Sequence, residues 1–441
     1  MILFLLMNAI VIYSAYLIVG KVFKVKNFVD FIIAWLIVYF SQIILTQTLL
    51  GVAGVLYLGN VIALNALIMF LVVFLTRKNK VDFKMDQVKA SCKELLANKT
   101  VLLISSIIIA FGIVKVSINF INPPFGWDCL NYHFTYPVEW IKNGNLINPP
   151  TVFGDPSPSY YPMNGSLFFL WFIFPFKSAL IADLGQIPFF LISILAIYRI
   201  SRQVGLSKEY SFYASTLFLL IPNYFKQLEI AYIDVMVAAL FLVCLHYILL
   251  LRRRFLIKEV FLFSASLGLL LGTKTVALPY SILLLIPLVY LSLKNIKKIP
   301  LVFLVLLVSL ISLGGLTYIR NFIYTNNPLY PFDFKILGKT IFQGVMNKAT
   351  YGAHFTIEDY SLSKLLFHEG LSGQGIVFIL LPVLLSLPIY IIKKRKTCDF
   401  LISYILLTPI LMYLIYRFII PLANTRYLYG FLGLGMILGF F

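Results

Sequence analysis

Long apolar stretches follow one another along almost the whole chain, and polar or basic segments separate them. A helix that crosses a membrane needs ~20 mostly apolar residues, because its backbone groups must find their hydrogen bonds within the helix. The sequence therefore predicts an all-α polytopic membrane protein whose first stretch is a retained span and not a cleavable signal peptide. About thirteen stretches qualify, near residues 2–20, 29–50, 54–76, 101–120, 179–198, 210–225, 231–251, 257–273, 276–293, 300–319, 374–392, 399–418 and 424–441.

The composition agrees with a membrane protein, since 61% of the residues are hydrophobic, against ~45–50% apolar residues in soluble domains. The net charge of +19 would also suit a nucleic-acid-binding protein, but the basic residues cluster after alternate apolar stretches. Such clusters are typical of cytoplasmic loops, so the charge indicates membrane orientation and no nucleic-acid partner is predicted. The clusters are Lys21/Lys24/Lys26, Arg77/Lys78/Lys80, Arg199/Arg202, Arg252/Arg253/Arg254, Lys294/Lys297/Lys298 and Lys393/Lys394/Arg395/Lys396.

This orientation divides the chain into two predicted parts. Residues 1–100 are expected to form N-terminal membrane helices and, at 77–100, a cytoplasmic amphipathic helix. Residues 101–441 are expected to form the main membrane domain. Its two large loops, 121–178 and 320–373, are predicted to lie outside the cell and to carry short interfacial helices.

The first external loop contains two predicted short elements. Residues 138–142 are expected to form an interfacial helix that stops at Asn143 and Gly144, a typical helix-ending pair. Residues 165–175 are apolar but too short to span, so they are expected to lie in the outer leaflet. No spacing of cysteine and histidine predicts a metal site or an external disulfide.

A group of chemically useful side chains begins the same loop, in the stretch from Gly126 to His133. Asp128 follows a tryptophan at the outer end of an apolar stretch, where a solvated acid beside an interfacial anchor is the simpler interpretation. A helical turn, however, would bring Asp128, Asn131 and Tyr132 to one side, with His133 beside them. These groups are therefore candidates for a catalytic acid or base and its substrate contacts.

The loop returns to the membrane through Tyr161 and Asn164. Aromatic rings stack on the apolar faces of sugars, and amides hydrogen-bond sugar hydroxyls. Tyr161 and Asn164 thus complete a pattern that favours a carbohydrate ligand.

Four further charged residues stand at the predicted outer ends of apolar stretches, where charge is costly and suggests function. Asp234 is a candidate substrate contact, unless it simply reaches water at the interface. Lys274 needs an anionic partner, for which either a lipid phosphate or Asp234 would serve, or else it snorkels to the headgroups. Arg320 and Arg426 are suited to phosphate oxygens, although interfacial anchoring explains them equally well.

Five motifs in this order resemble the polytopic glycosyltransferases of the GT-C superfamily, in particular bacterial relatives of the dolichyl-phosphate-mannose protein mannosyltransferases. The resemblance covers about residues 100–440, and three apolar stretches precede its usual start. Because the chain ends within its last predicted span, a short member or a fragment is expected. The motifs are Trp127-Asp128-Cys-Leu-Asn-Tyr-His133, Trp140-Ile-Lys-Asn-Gly144, Tyr161-Pro-Met-Asn-Gly165, Gly272-Thr-Lys274, and Arg320-Asn321 with Asn327-Pro-Leu-Tyr-Pro331.

The resemblance implies a polyprenyl-phosphate-linked sugar as donor and transfer on the external face of the bacterial cytoplasmic membrane. It assigns the catalytic acid of the family to Asp128, which we expect to act as a general base in an inverting displacement. Lys274, Arg320 and Arg426 would hold the donor phosphate. A divalent metal is an open alternative, but the chain lacks the paired acids of a DxD motif.

Two other functions remain open at this point. An O-antigen polymerase or ligase also joins lipid-linked sugars outside the cell, but would favour paired arginines in large external loops. A lipid or solute transporter would place polar groups near the bilayer midplane and often has repeated halves. The acceptor is expected to be a lipid, a glycan or a protein, and the sequence does not select the sugar.

Overall fold

The computed structural model describes residues 1–81, 89, 93–151, 157–346, 356–371, 373–385 and 399–441. The first half contains helices α1 (Ile2–Leu17), α2 (Phe28–Val52), α3 (Leu58–Thr76), α4 (Lys99–Ile121), α5 (Thr135–Asn143), α6 (Asn164–Phe176), α7 (Ile187–Val204), α8 (Lys208–Leu219) and α9 (Pro222–Lys226). The second half contains α10 (Asp234–Arg253), α11 (Ile257–Leu271), α12 (Ala277–Leu293), α13 (Ile299–Leu310), α14 (Leu316–Thr325), α15 (Leu362–Leu366), α16 (Phe400–Phe418) and α17 (Tyr429–Phe440). Strands β1 (Phe334–Ile336) and β2 (Lys339–Phe342) form one antiparallel hairpin in the second external loop.

The chain is a multi-pass membrane protein. Eight helical segments of the described residues are long and apolar enough to cross a membrane. They are Ile2–Val22, Phe28–Val52, Leu58–Thr76, Lys99–Ile121, Ala182–Val204, Asp234–Arg253, Ile296–Thr325 and Phe400–Phe418.

The predicted number of thirteen spans is not confirmed. Helices α8, α11, α12 and α17 have only 12, 15, 17 and 12 residues. The stretch predicted at 374–392 contains an apolar helix over Ile376–Leu385, and its residues 386–392 lie outside the described ones. Much of α11 and α17 is buried against other helices, and such helices need not match the full thickness of the lipid.

The loops predicted to share the cytoplasmic face do contact one another. These contacts are Lys21 Nζ to the Thr76 carbonyl (3.4 Å), Lys258 Nζ to the Phe23 carbonyl (3.0 Å), Lys298 Nζ to the Phe255 carbonyl (2.6 Å) and Arg252 Nε to Asp399 Oδ2 (3.0 Å). The alternation of basic and non-basic loops therefore corresponds to two opposite ends of the helical assembly. The assignment of the basic end to the cytoplasm remains a prediction.

Helix α10 is the central element of the fold and is buried along nearly its whole length. It packs against α7, α11, α12 and α17, so its apolar side chains have no need to face lipid. Its first residue, Asp234, lies at the end of the helical assembly that is opposite the basic loops. This helix fixes the position of the carboxylate on which the candidate site is built.

A buried ion pair joins α10 to its neighbours near the basic end. Asp30 accepts two hydrogen bonds from the Arg199 guanidinium, at 2.6 and 2.8 Å. His246 lies 3.3 Å from the same carboxylate, and Gln203 contacts its other ring nitrogen at 2.8 Å. These contacts give His246 a structural role, because Asp30 and Arg199 are paired with each other beside it.

The first external loop has one element as predicted and one that is buried instead. Helix α5 ends at Gly144, whose φ of 65° is the left-handed conformation that glycine adopts most easily. Helix α6 does not face lipid, because its residues 164–174 are buried against α2 and α5. Of the amphipathic helix predicted at 77–100, residues 82–88 and 90–92 lie outside the described ones, and residues 89 and 93–96 are helical.

Glycines let α11 approach the segment between α13 and α14 without intervening side chains. A Cβ on Gly268 would lie 2.6 Å from the Ser309 carbonyl oxygen, and one on Gly314 would lie 2.4 Å from the Gly268 carbonyl. A Cβ on Gly272 would lie 2.2 Å from Asn164 Nδ2. These close contacts fix the position of the C-terminal end of α11 and, with it, the position of Lys274.

Replacing Gly268 with alanine is expected to destabilise the protein by ~1–3 kcal/mol, the usual cost of overpacking. Thermal unfolding in detergent measures the effect. Gly112→Ala is the matched control, because a Cβ at Gly112 in α4 meets no atom within 4 Å. Equal melting temperatures for the two variants would contradict the close-contact interpretation.

Candidate functional site

Asp128 is placed by a sharp turn at the end of α4. Gly126 has φ of 107°, and a side chain there would lie 2.8 Å from Ile230 Cγ2. The chain then forms a π-helical turn over Cys129–His133, with Asp128 directly before it. The predicted helical turn is therefore present, and it rests against the segment that leads into α10.

That segment, residues 227–233, is held by polar contacts from two directions. Gln186 Nε2 donates to the carbonyls of Gln227 and Ile230, at 2.9 and 2.6 Å. Lys115, within α4, forms an ion pair with Glu229. These contacts tie α4 and the start of α7 to the segment that positions Asp234.

Four charged residues from distant parts of the sequence meet here, and we call them the charge cluster: Asp128, Asp234, Lys274 and Arg426. Arg426 NH1 lies 3.1 Å from Asp128 Oδ2, and Arg426 Nε lies 3.4 Å from Asp234 Oδ2. Lys274 Nζ donates to Asp234 Oδ1 at 2.7 Å. Two carboxylates and two cations thus form a continuous row with balanced formal charge.

The charge cluster is shielded from solvent and lined by aromatic rings. The Asp234 side chain is 1% exposed, and the Arg426 side chain is 17% exposed. Arg426 stacks over the Tyr232 ring at 4.4 Å, and Lys274 lies 4.9 Å from the Tyr427 ring centroid. Burial on its own lowers the pKa of Arg426, but Asp234 and Asp128 together raise it above its ordinary value. The guanidinium therefore remains charged.

Several buried polar atoms around the charge cluster have no hydrogen-bond partner among the described residues. They are Asp234 Oδ2, Arg426 Nε, Asn131 Oδ1 and His133 Nε2. Most buried polar atoms in folded proteins are satisfied, so several exceptions in one place need an explanation. A bound ligand with several oxygen atoms would supply the missing partners.

His133 faces this region as a neutral imidazole. Its Nδ1 lies 3.0 Å from the Ser166 hydroxyl, which the buried helix α6 holds in place. Burial lowers the pKa of His133 well below its usual value, and the positive charge of Lys274 acts in the same direction. The ring can therefore hydrogen-bond a ligand at Nε2 without carrying charge.

Tyrosines form one wall beside His133. Tyr132 is buried, and its ring centroid lies 4.2 Å from that of His133 and 5.9 Å from that of Tyr161. Tyr161 is half-buried, and its hydroxyl lies 3.8 Å from the sulfur of Met346. Two aromatic residues from the two ends of the first loop are therefore neighbours, as the sequence pattern indicated.

Two of the predicted site residues have structural contacts instead. Arg320 NH2 donates to the Ser159 carbonyl at 2.8 Å, and its NH1 lies 3.5 Å from the Leu146 carbonyl. Asn164 Nδ2 donates to the carbonyls of Leu269 and Leu313, at 3.2 and 2.6 Å. Arg320 therefore holds the first loop against α14, and Asn164 fastens α6 to α11.

A cavity of about 290 Å³ lies next to the turn that carries Arg426. Asn424 and Thr425 line it, together with His368 and the ion pair of Asp359 and Lys364 from the second external loop. His368 is exposed, as expected for a histidine in a polar external loop.

The described ranges contain no group of three or more His, Cys, Asp or Glu side chains arranged to hold a metal ion. The carboxylates of Asp128 and Asp234 are each directed at a cation of the protein.

Sequence reasoning missed Tyr232, Tyr427 and Ser166. Both tyrosines lie next to charged residues that were singled out, two positions before Asp234 and one after Arg426. An aromatic residue beside a buried cation is a usable signal for a stacking contact. Ser166 carries no such signal, because its partner His133 is 33 positions away.

Comparisons with known proteins identify the fold. No protein-family profile and no curated protein sequence matches the chain. Its structure is similar to the crystal structure of ArnT from Cupriavidus metallidurans in the apo state, with a TM-score of 0.52 and 14% identity over 78% of this chain. The crystal structure of the same protein bound to undecaprenyl phosphate matches with a TM-score of 0.52 and 13% identity over 77% of this chain.

The matched region covers 59% of each ArnT chain, so this chain spans about three fifths of that length. Since ArnT is a member of the GT-C superfamily, the resemblance predicted from the motifs is confirmed at the level of the fold.

Proposed function

We propose that the chain is a membrane glycosyltransferase that moves a sugar from a polyprenyl-phosphate donor to an acceptor outside the cytoplasm, with inversion of configuration. The observation that carries this proposal is the charge cluster, in which a carboxylate and two cations adjoin buried polar atoms without partners. The ArnT fold and the undecaprenyl phosphate bound in one ArnT structure support the same class of donor.

Lys274 and Arg426 form the proposed donor phosphate site. A guanidinium presents several N–H groups in one plane and binds phosphate oxygens in pairs, while an ammonium adds a compact charge. Asp234 contacts both cations and holds them in place in the absence of donor. Arg320 is left out of this site, because its guanidinium is bonded to backbone carbonyls.

The second part of the proposal concerns the sugar. Asn131 and His133 offer an amide oxygen and a ring nitrogen without partners, which suit sugar hydroxyls. Tyr132 and Tyr161 lie beside His133 and offer ring faces and phenol groups to the same ligand. The acceptor, a lipid, a glycan or a protein, is the remaining substrate.

Asp128 is the proposed general base. It accepts the proton of the acceptor hydroxyl, whose oxygen forms a bond to the anomeric carbon as the bond from that carbon to the phosphate oxygen breaks. The leaving electron pair stays on the phosphate, where Lys274 and Arg426 stabilise the added charge. Attack from the face opposite the phosphate inverts the anomeric configuration.

The reaction is proposed to occur on the external side of a bacterial cytoplasmic membrane. The charge cluster lies at the end of the helical assembly opposite the basic loops, which the positive-inside rule assigns to the cytoplasm. A polyprenyl tail would lie along the exposed apolar helices, with its phosphate at the level of Lys274.

Replacing Asp128 with Asn is expected to lower transfer by ~10²–10⁴-fold, the usual contribution of a general base. Transfer from a radiolabelled polyprenyl-phosphate sugar by the purified protein measures the effect. Glu139→Gln is the matched control, because Glu139 is an external carboxylate that pairs only with Lys142 on the surface of α5. Near-normal transfer by the Asp128→Asn variant would refute the role of Asp128.

Replacing Lys274 with Ala is expected to raise the donor KM by roughly 10- to 100-fold, because a charge-assisted hydrogen bond to phosphate is lost. Lys274→Arg is expected to recover part of this loss, since the charge remains while the geometry changes. Steady-state kinetics over a range of donor concentrations measures both.

Lys142→Ala serves as control for the loss of an external lysine, and thermal unfolding shows whether each variant is folded. If folded Lys274→Ala protein keeps its donor KM, Lys274 has no part in phosphate binding and serves only to neutralise Asp234.

A further inference from the structure

Tyr232 contacts the Arg426 guanidinium and packs against the turn that carries Asp128. Its ring lies under the Arg426 guanidinium, with 4.4 Å between the guanidinium carbon and the ring centroid. Its phenol oxygen packs against Gly126, two residues before Asp128. One side chain therefore touches the cation with its face and the turn that carries the carboxylate with its hydroxyl.

The surrounding packing keeps the phenol in this position. Gly126 begins the turn, and a Cβ built on it would lie 3.4 Å from Tyr232 Cε1 and Oη. Ile230 closes the opposite side, 2.8 Å from the same Cβ position. The absence of a side chain at Gly126 is thus what allows the Asp128 turn to rest directly on the phenol.

The remaining contacts of Arg426 do not fix its plane. Its Nε has no partner with hydrogen-bond geometry among the described residues, and its ion pairs are 3.1 and 3.4 Å long. The stacked ring restricts the guanidinium to one plane, with its edge directed at Asp128 and Asp234. Because one face is covered by Tyr232, a phosphate can approach only along the edge or from the other face.

We propose that Tyr232 is a positioning residue that sets the geometry between the general base and the phosphate-binding arginine. Its phenol end supports the Asp128 turn at Gly126, and its ring holds the Arg426 guanidinium ready for the donor phosphate. This inference rests on the proposed glycosyltransferase function and adds a residue to its machinery.

The two halves of the side chain have separable kinetic effects. Loss of the hydroxyl removes its packing against the turn at Gly126, which loosens Asp128, so kcat falls. Loss of the ring frees Arg426, which holds the donor, so the donor KM rises. A residue that served only the fold would change the amount of active protein and leave the KM of the folded fraction unchanged.

The test compares Tyr232→Phe with Tyr232→Leu in purified protein in lipid nanodiscs. Tyr232→Phe keeps the ring and is expected to lower kcat severalfold with a donor KM within about twofold of wild type. Tyr232→Leu removes the ring and is expected to lower kcat and also to raise the donor KM roughly tenfold. A partly buried cation–π contact contributes about a tenfold change in affinity. Tyr324→Leu is the control for loss of a tyrosine, because Tyr324 is 56% exposed on α14.

A titration with undecaprenyl phosphate provides a second readout that needs no turnover. Weaker binding by Tyr232→Leu than by Tyr232→Phe, at equal thermal stability, supports the inference. If wild type transfers sugar and the two variants share one KM and one affinity, Tyr232 is not a positioning residue, although the proposed function stands. If wild type neither transfers sugar nor binds undecaprenyl phosphate, the proposed function fails and this inference fails with it.

Discussion

The rest of the site depends on the pairing of Arg426 with two carboxylates. Charges that are shielded from water are costly unless partners of opposite sign surround them. Arg426 meets Asp128 on one side and Asp234 on the other, and Lys274 completes the row. The row is balanced in charge but not in hydrogen bonds, because Asp234 Oδ2 and Arg426 Nε lack partners within the described chain. A site of this kind keeps its charges paired without ligand, and the Arg426 Nε–H is available to a phosphate oxygen.

The architecture explains how residues so far apart in sequence reach one place. Asp234 is the first residue of the most buried helix, so its carboxylate has a fixed position. Asp128 is brought to it by the turn at Gly126, and Lys274 by the glycine-mediated approach of α11 to its neighbours. Arg426 precedes the last described helix and faces both carboxylates. Each charge therefore stands at the end of a helix whose position is determined by apolar packing.

Sequence reasoning found the members of this cluster but not their arrangement. Asp234, Lys274 and Arg426 were singled out because charge at the end of an apolar stretch is costly, and Asp128 because polar side chains follow it within one helical turn. The same signal selected Arg320, whose guanidinium instead satisfies two backbone carbonyls. A pattern of charge and hydropathy does not state which way a side chain points, because that depends on packing between distant segments. The count of thirteen spans is not confirmed for a related reason. Hydropathy along the sequence does not distinguish a short helix buried in the protein from one that faces lipid.

A structure of this protein in lipid nanodiscs with undecaprenyl phosphate bound would test the proposed phosphate site most directly. The account predicts that the phosphate lies within hydrogen-bond distance of Lys274 and Arg426. It also predicts that Arg426 is drawn away from Asp128, which leaves that carboxylate open to an acceptor hydroxyl. A phosphate bound elsewhere, with the contact between Arg426 and Asp128 still intact, would contradict it.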